Sequence, residues 1–267
     1  MTENTSAGQA LYTLGTQVTT RIGELRQPAA GSELEHLHSL HPDSPITAAT
    51  SIAAAITTAA AAASATGFLV EVEDSPADET VLGGLARQLL IGVYTASYVL
   101  GPKDPAVREE RARTLVTLEY KSYRQAASRV ANFKGPEMSD ARELAVERLT
   151  EIAKAKELNG IGSAELGTGK LLSEGAKEFA EFQLDSFRRE DGADVELLDR
   201  IALNVHESAE WLWQTSSGFA HGYDWPMMLV GEEDAPNQSS QLFHALTAAC
   251  KLSWQAAELD RASFRSE

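Results

Sequence analysis

A chain of 267 residues with a formal charge of −16 is long enough for one large domain or two small ones, and over most of its surface it repels nucleic acid. Its one cysteine, Cys250, excludes an internal disulfide and fits a reducing compartment, while 43% hydrophobic residues suffice for a sizeable core. The opening Met1-Thr-Glu-Asn-Thr-Ser6 has neither the basic nor the apolar region of a signal peptide, so a cytoplasmic location is expected.

Apolar residues recur at helical spacing almost throughout, and strict alternation is rare. The predicted fold class is therefore all-α, a single bundle of about seven to nine helices over residues 8–267 behind a disordered N-terminus at 1–7. A first helix is predicted from Gly8 to Gln27, stopped by Pro28. A His- and Pro-containing connection follows, with a short helix at 32–40. Within it Glu33, Glu35, His36, His38 and His41 gather donor groups of the kind that hold zinc or iron. The overlapping Glu-x-x-His pairs share one segment, however, where a di-iron bundle needs them on separate helices. A solvated polar turn is the favoured reading, and no metal or other cofactor is expected.

The uncharged stretch from Pro45 to Val70 is long enough to span a membrane. It is built of Ala, Thr and Ser, which drive insertion weakly, so the expectation is a buried alanine-rich helix over 46–66 and no membrane association. A nearly all-apolar helix over 79–100 is stopped by Gly101-Pro102, and its single charge, Arg87, is expected to pair with Glu119, Glu207 or Glu210 as a clamp between helices.

A long helix is predicted over 105–133, with Val116, Tyr120, Tyr123, Ala127 and Val130 as its buried stripe. From Lys103 to Lys134 eight basic side chains stand against four acidic ones, so this segment carries +4 and the remainder of the chain −20. Arg113, Lys121 and Arg124 fall on one side of the helix, read as a face neutralised by acidic neighbours, with contact to an acidic partner or an RNA backbone as the functional alternative. After Gly135-Pro136, Asp140 and Glu143 form a capping-box signature for a helix that ends at Asn159-Gly160. Gly-rich Ala164-Glu-Leu-Gly-Thr-Gly-Lys170-Leu has the look of a phosphate loop, but Leu171 stands where a magnesium-binding hydroxyl belongs and no apolar strand precedes it. Further helices are predicted over 170–189, 194–221 and 238–264.

The helix over 194–221 ends in Trp211-Leu-Trp-Gln-Thr-Ser-Ser-Gly-Phe-Ala-His-Gly222, the one place where aromatic bulk, hydroxyls and an ionisable ring converge. His206, Glu210, Gln214, Ser217 and His221 share a polar stripe, with His206 and Glu210 at the i, i+4 spacing of an acid–base pair. Beyond it, Trp225, Met227, Met228 and Leu229 make a hydrophobic segment expected to bind a protein partner.

Three short motifs carry a resemblance: Val99-Leu-Gly-Pro102, the Arg-rich Arg108-Glu-Glu-Arg-Ala-Arg113, and Ser216-Ser-Gly-Phe-Ala-His-Gly222. In this order they resemble a broad, mostly actinobacterial group of uncharacterised all-helical proteins, over about residues 46–260. More distantly, the last motif is similar to the terminal helix of HEPN-type proteins, which include RNA-cleaving toxins and phage-defence effectors. That resemblance implies a HEPN-like C-terminal part in which His221 moves a proton, with an Arg four to six residues before it to stabilise phosphate charge. Positions 215–217 are Thr, Ser and Ser, so that Arg is missing. Two expectations follow. One is a non-catalytic interaction module of a phage-defence, toxin–antitoxin or stress system, with a protein partner or a second copy of itself as a homodimer. The other is a metal-independent endoribonuclease using His221, Ser217 and Arg87, with RNA as its partner.

Overall fold

The computed structural model describes residues 7–26, 28, 30–72, 79–161, 167–188 and 194–220. Among them are eight α-helices and one 3₁₀ turn, with no strand: α1 (Ala7–Arg26), α2 (Glu33–Ser39), α3 (Ala48–Val72), α4 (Glu79–Leu100), α5 (Pro105–Ala131), α6 (Ser139–Leu158), α7 (Thr168–Arg188) and α8 (Val195–Ala220), with the turn at Pro136–Met138. The all-helical expectation holds, and the helices that were predicted up to residue 221 are all present. The helix expected over 238–264 lies outside the described residues.

Local chemistry sets the helix starts. Ser32 caps α2 by accepting a hydrogen bond from the Glu35 amide at 3.1 Å. Thr47 and Thr50 cap α3 reciprocally, each hydroxyl accepting from the other's backbone N–H at 3.2 and 2.9 Å. Asp104 caps α5, accepting from the Ala106 amide at 2.9 Å, with Pro105 in the first turn where its missing N–H costs nothing. The α6 start differs from expectation. Met138 occupies the cap position and makes no side-chain bond, because the 3₁₀ turn at 136–138 already leads the chain into the helix.

α3 is the inner helix, packed between α1 and α4 and touched also by α2 and α5. It runs to Val72, six residues past the predicted end. Its buried face is Ala49, Ile52, Ala53, Ile56, Ala60 and Ala63. Glycines on its neighbours close the gap. A Cβ on Gly15 of α1 would strike Ser64 Oγ, and one on Gly92 of α4 would strike the Ala55 carbonyl oxygen. This is the one described helix long and apolar enough to cross a membrane, over Ala48–Leu69, and α1 and α4 pack against it.

From α4 the packing spreads to α7 and α8, which also pack on each other, while α6 packs on α5. The core is continuous from Leu11 and Val18 through Ile56, Leu89 and Val93 to Val116, Tyr120, Leu172 and Phe179. One member of the predicted α5 stripe falls away: Tyr123 is 36% exposed although Val116, Tyr120 and Ala127 are buried. Among the described residues no helix covers that side: residues 121–126 are all exposed, and α5 packs chiefly on α6.

Candidate functional site

The polar groups singled out on α4 and α8 meet where these helices and α7 come together. Arg87 and Tyr94 are seven residues, about two turns, apart on α4 and so share a face. His206, Glu210 and Trp213 follow the i, i+4, i+7 spacing of one stripe on α8. The Arg87 guanidinium carbon stands 5.2 Å from the Trp213 ring centroid, a cation–π contact. Its buried Nε has no hydrogen-bond partner among the described residues. The expected carboxylate partner of Arg87 is therefore corrected. None of Glu119, Glu207 or Glu210 pairs with it among the described residues; an indole face two turns of α8 from His206 takes that place.

Glu210 instead accepts a hydrogen bond from Ser173 Oγ of α7 at 2.7 Å. The His206 Nε2 lies 3.8 Å from the same carboxylate oxygen, and the His206 Nδ1 is buried without a hydrogen-bond partner. Tyr94 is almost wholly buried. Burial, aided by the negative charge of Glu210, pushes its phenol well above the usual range, so it is a neutral group. The Phe179 ring packs beside it at 6.1 Å between centroids, tilted by 55°, and Gly175 lets the α7 backbone touch the Tyr94 carbonyl.

Chemically, these groups fasten helices. The serine hydroxyl is held by a carboxylate, whereas activation of an alcohol as a nucleophile calls for an imidazole at hydrogen-bond distance. Of the predicted polar stripe, His206 and Glu210 meet and Gln214 is exposed one turn further on. Of the predicted catalytic residues, only Arg87 has a described side chain. The Ser217 side chain and His221 lie outside the described residues, as do Trp225, Met227, Met228 and Leu229.

A second polar centre, missed from the sequence, joins α2 to α5. Glu33 and Arg108 form a bidentate pair, Nε to Oε1 at 2.8 Å and Nη2 to Oε2 at 3.3 Å, and the Pro102 carbonyl accepts from Nη1. Glu33 is 0% and Arg108 8% exposed. The three nearby histidines diverge. His36 faces Glu109 at 3.5 Å, His38 Nδ1 meets Thr47 Oγ1 at 3.1 Å, and His41 is buried with its Nδ1 unpartnered. The Arg113 guanidinium, 2.8 Å from Glu109, holds that carboxyl below its usual range, helped by His36. Among the described residues no group of three or more His, Cys, Asp or Glu is placed to hold a metal ion. Arg111 is a third tie, reaching the Tyr98 carbonyl and Glu178, each at 2.9 Å, and lying 4.8 Å over the Tyr98 ring. In the glycine-rich stretch Lys170 sits beside Glu174 at 3.9 Å and Leu171 is buried; residues 162–166 lie outside the described residues.

No known family model, curated protein or solved structure matches the chain.

Proposed function

We propose that this protein is a non-catalytic helical interaction module, working in the cytoplasm as one component of a defence, toxin–antitoxin or stress system. The observation that carries this reading is the commitment of Arg87 to Trp213. Arg87 is the guanidinium that stands nearest in role to the arginine missing before His221, and the contact ties it to helix packing. The exposed side of α8 lends support, since Leu203 is 54% and Trp211 40% exposed and tryptophan is enriched among the residues that dominate binding energy at protein interfaces. The resemblance of the 216–222 sequence to a HEPN ending, without the arginine that would stabilise phosphate charge, supports a role beside RNA-cleaving systems over cleavage itself.

The test is incubation of the full chain with mixed cellular RNA in the presence of a chelator. The expected result is no cleavage by the wild type. Cleavage by the wild type that disappears in His221→Ala would replace this reading with the endoribonuclease.

A further inference from the structure

The basic residues of α5 divide into two sets. Those in its first half are satisfied within the chain: Arg108 by Glu33, Arg111 by Glu178, Arg113 by Glu109. Those in its second half are not. Lys121, Arg124 and Arg129 are exposed and make no ion pair among the described residues. At 100° per residue Lys121, Gln125, Ser128 and Arg129 fall about 80–180° around α5 from Tyr120, on the side away from Ala127 and Val130, and Arg124 borders the buried stripe at about 40° from Tyr120. No acidic residue lies between Lys121 and Lys134.

The partner helix, α6, carries the opposite sign. Asp140, Glu143 and Glu147 are exposed and likewise make no ion pair among the described residues, whereas Glu151 is taken by Arg148 at 2.5 Å. The three share a face of α6 opposite the buried Ala145 and Ile152 that pack toward α5. Lys121 to Arg129 spans about 12 Å along the axis and Asp140 to Glu147 about 10 Å. Because α5 and α6 pack on each other and are joined by a short turn, the two charged faces lie at about the same height along the pair.

We infer that the occupant of the α5 face is the α6 face of a second copy of this chain. The match is one of sign, number and length, three cations against three carboxylates over nearly equal spans. A second copy is favoured because every copy carries a face of the required sign, with the same number of charges over a nearly equal span of helix. Both faces belong to every copy but are different surfaces, so the contact is head-to-tail, and assembly continues beyond two copies unless it closes into a ring. Exposed ion pairs are individually weak and screened by salt, so the association is reversible and salt-sensitive. This inference rests on the interaction-module reading and gives it a partner.

The experiment is sedimentation velocity of the full chain over a concentration series at low (about 20 mM) and high (about 300 mM) NaCl. The expected result is association at low salt that weakens by about ten-fold or more at high salt. Two triple variants are compared, K121E/R124E/R129E and D140K/E143K/E147K, each checked by circular dichroism for unchanged helicity. Each alone is expected to lose self-association, and an equimolar mixture to regain it, since one variant is acidic on both faces and the other basic on both. A wild type that stays monomeric, with a mixture that does not associate, overturns the inference. Association that survives both reversals also overturns it, but leaves the interaction-module reading standing on a different surface. Capture of poly(U) by the wild type, lost in K121E/R124E/R129E, would reassign the α5 face to nucleic acid.

Discussion

Glu33 and Arg108 are 75 residues apart in the chain and lie in an almost waterless contact. Removing water from two charges is costly, and what offsets it here is bidentate geometry plus the Pro102 carbonyl on the remaining nitrogen. Glu33→Ala leaves the guanidinium buried and unpaired, and is expected to cost about 3–5 kcal/mol in urea unfolding. Replacing both partners by Leu and Met removes the charge along with the pair, and most of that loss is expected to return. His41 is a different case: burial, with a smaller contribution from Arg113, lowers its pKa from 6.5. Below that value the unfolded chain takes up a proton that the folded chain refuses, so stability falls as pH drops from 6.5 toward the folded value. The slope is at most about 1.4 kcal/mol per pH unit. Denaturant midpoints measured between pH 7.5 and 5 are expected to show this fall, and His41→Gln to flatten it.

At the scale of helices, small residues decide the packing. The Gly92 site allows α4 to lie on α3 with backbone against side chain, 2.8 Å from a Gly92 Cβ position to the Ala59 Cβ. Gly84, two turns earlier on the same helix, has nothing within 4 Å of such a Cβ. The same substitution is therefore expected to act in opposite directions. Gly84→Ala gains helix propensity and stabilises by about 0.5–1 kcal/mol. Gly92→Ala forces the helices apart and destabilises by about 1–3 kcal/mol in spite of that gain. Thermal unfolding of the two variants side by side checks the pair, and equal shifts would deny the close approach.

Helix existence was legible because stop signals and apolar spacing agree: the 79–100 boundaries emerge from Gly101-Pro102 and coincide with α4. The end of α3 was not, because the alanine run fades at Thr66-Gly67 while the helix is carried on to Val72 alongside α1. Tyr123 was misjudged because a buried-looking stripe in sequence does not say whether a helix covers it. At the candidate site the sequence placed His206 with Glu210 through their spacing alone. It could not supply Ser173, Tyr94 or the Arg87 contact, since these depend on which helices become neighbours. A lone Arg in an apolar helix demands a partner, but an aromatic face meets that demand as readily as a carboxylate.

For the whole molecule, the difference between the close-packed α1–α3–α4 centre and the α5–α6 pair sorts where change can occur. Where α1, α3 and α4 meet, a Cβ at Gly15 or Gly92 would overlap the α3 backbone, so these helices lie too close for a larger side chain at either position. Sliding or tilting of these three helices is blocked as a stack of plates is blocked, by the absence of anything compressible between them. α8 connects to the start of α5 through α4 and through α7, whose Glu178 holds Arg111. Among the described residues the second half of α5 is held chiefly by α6, whereas the alanine-rich helix is gripped from both sides, so the α5–α6 pair is the part whose angle the fewest side chains set.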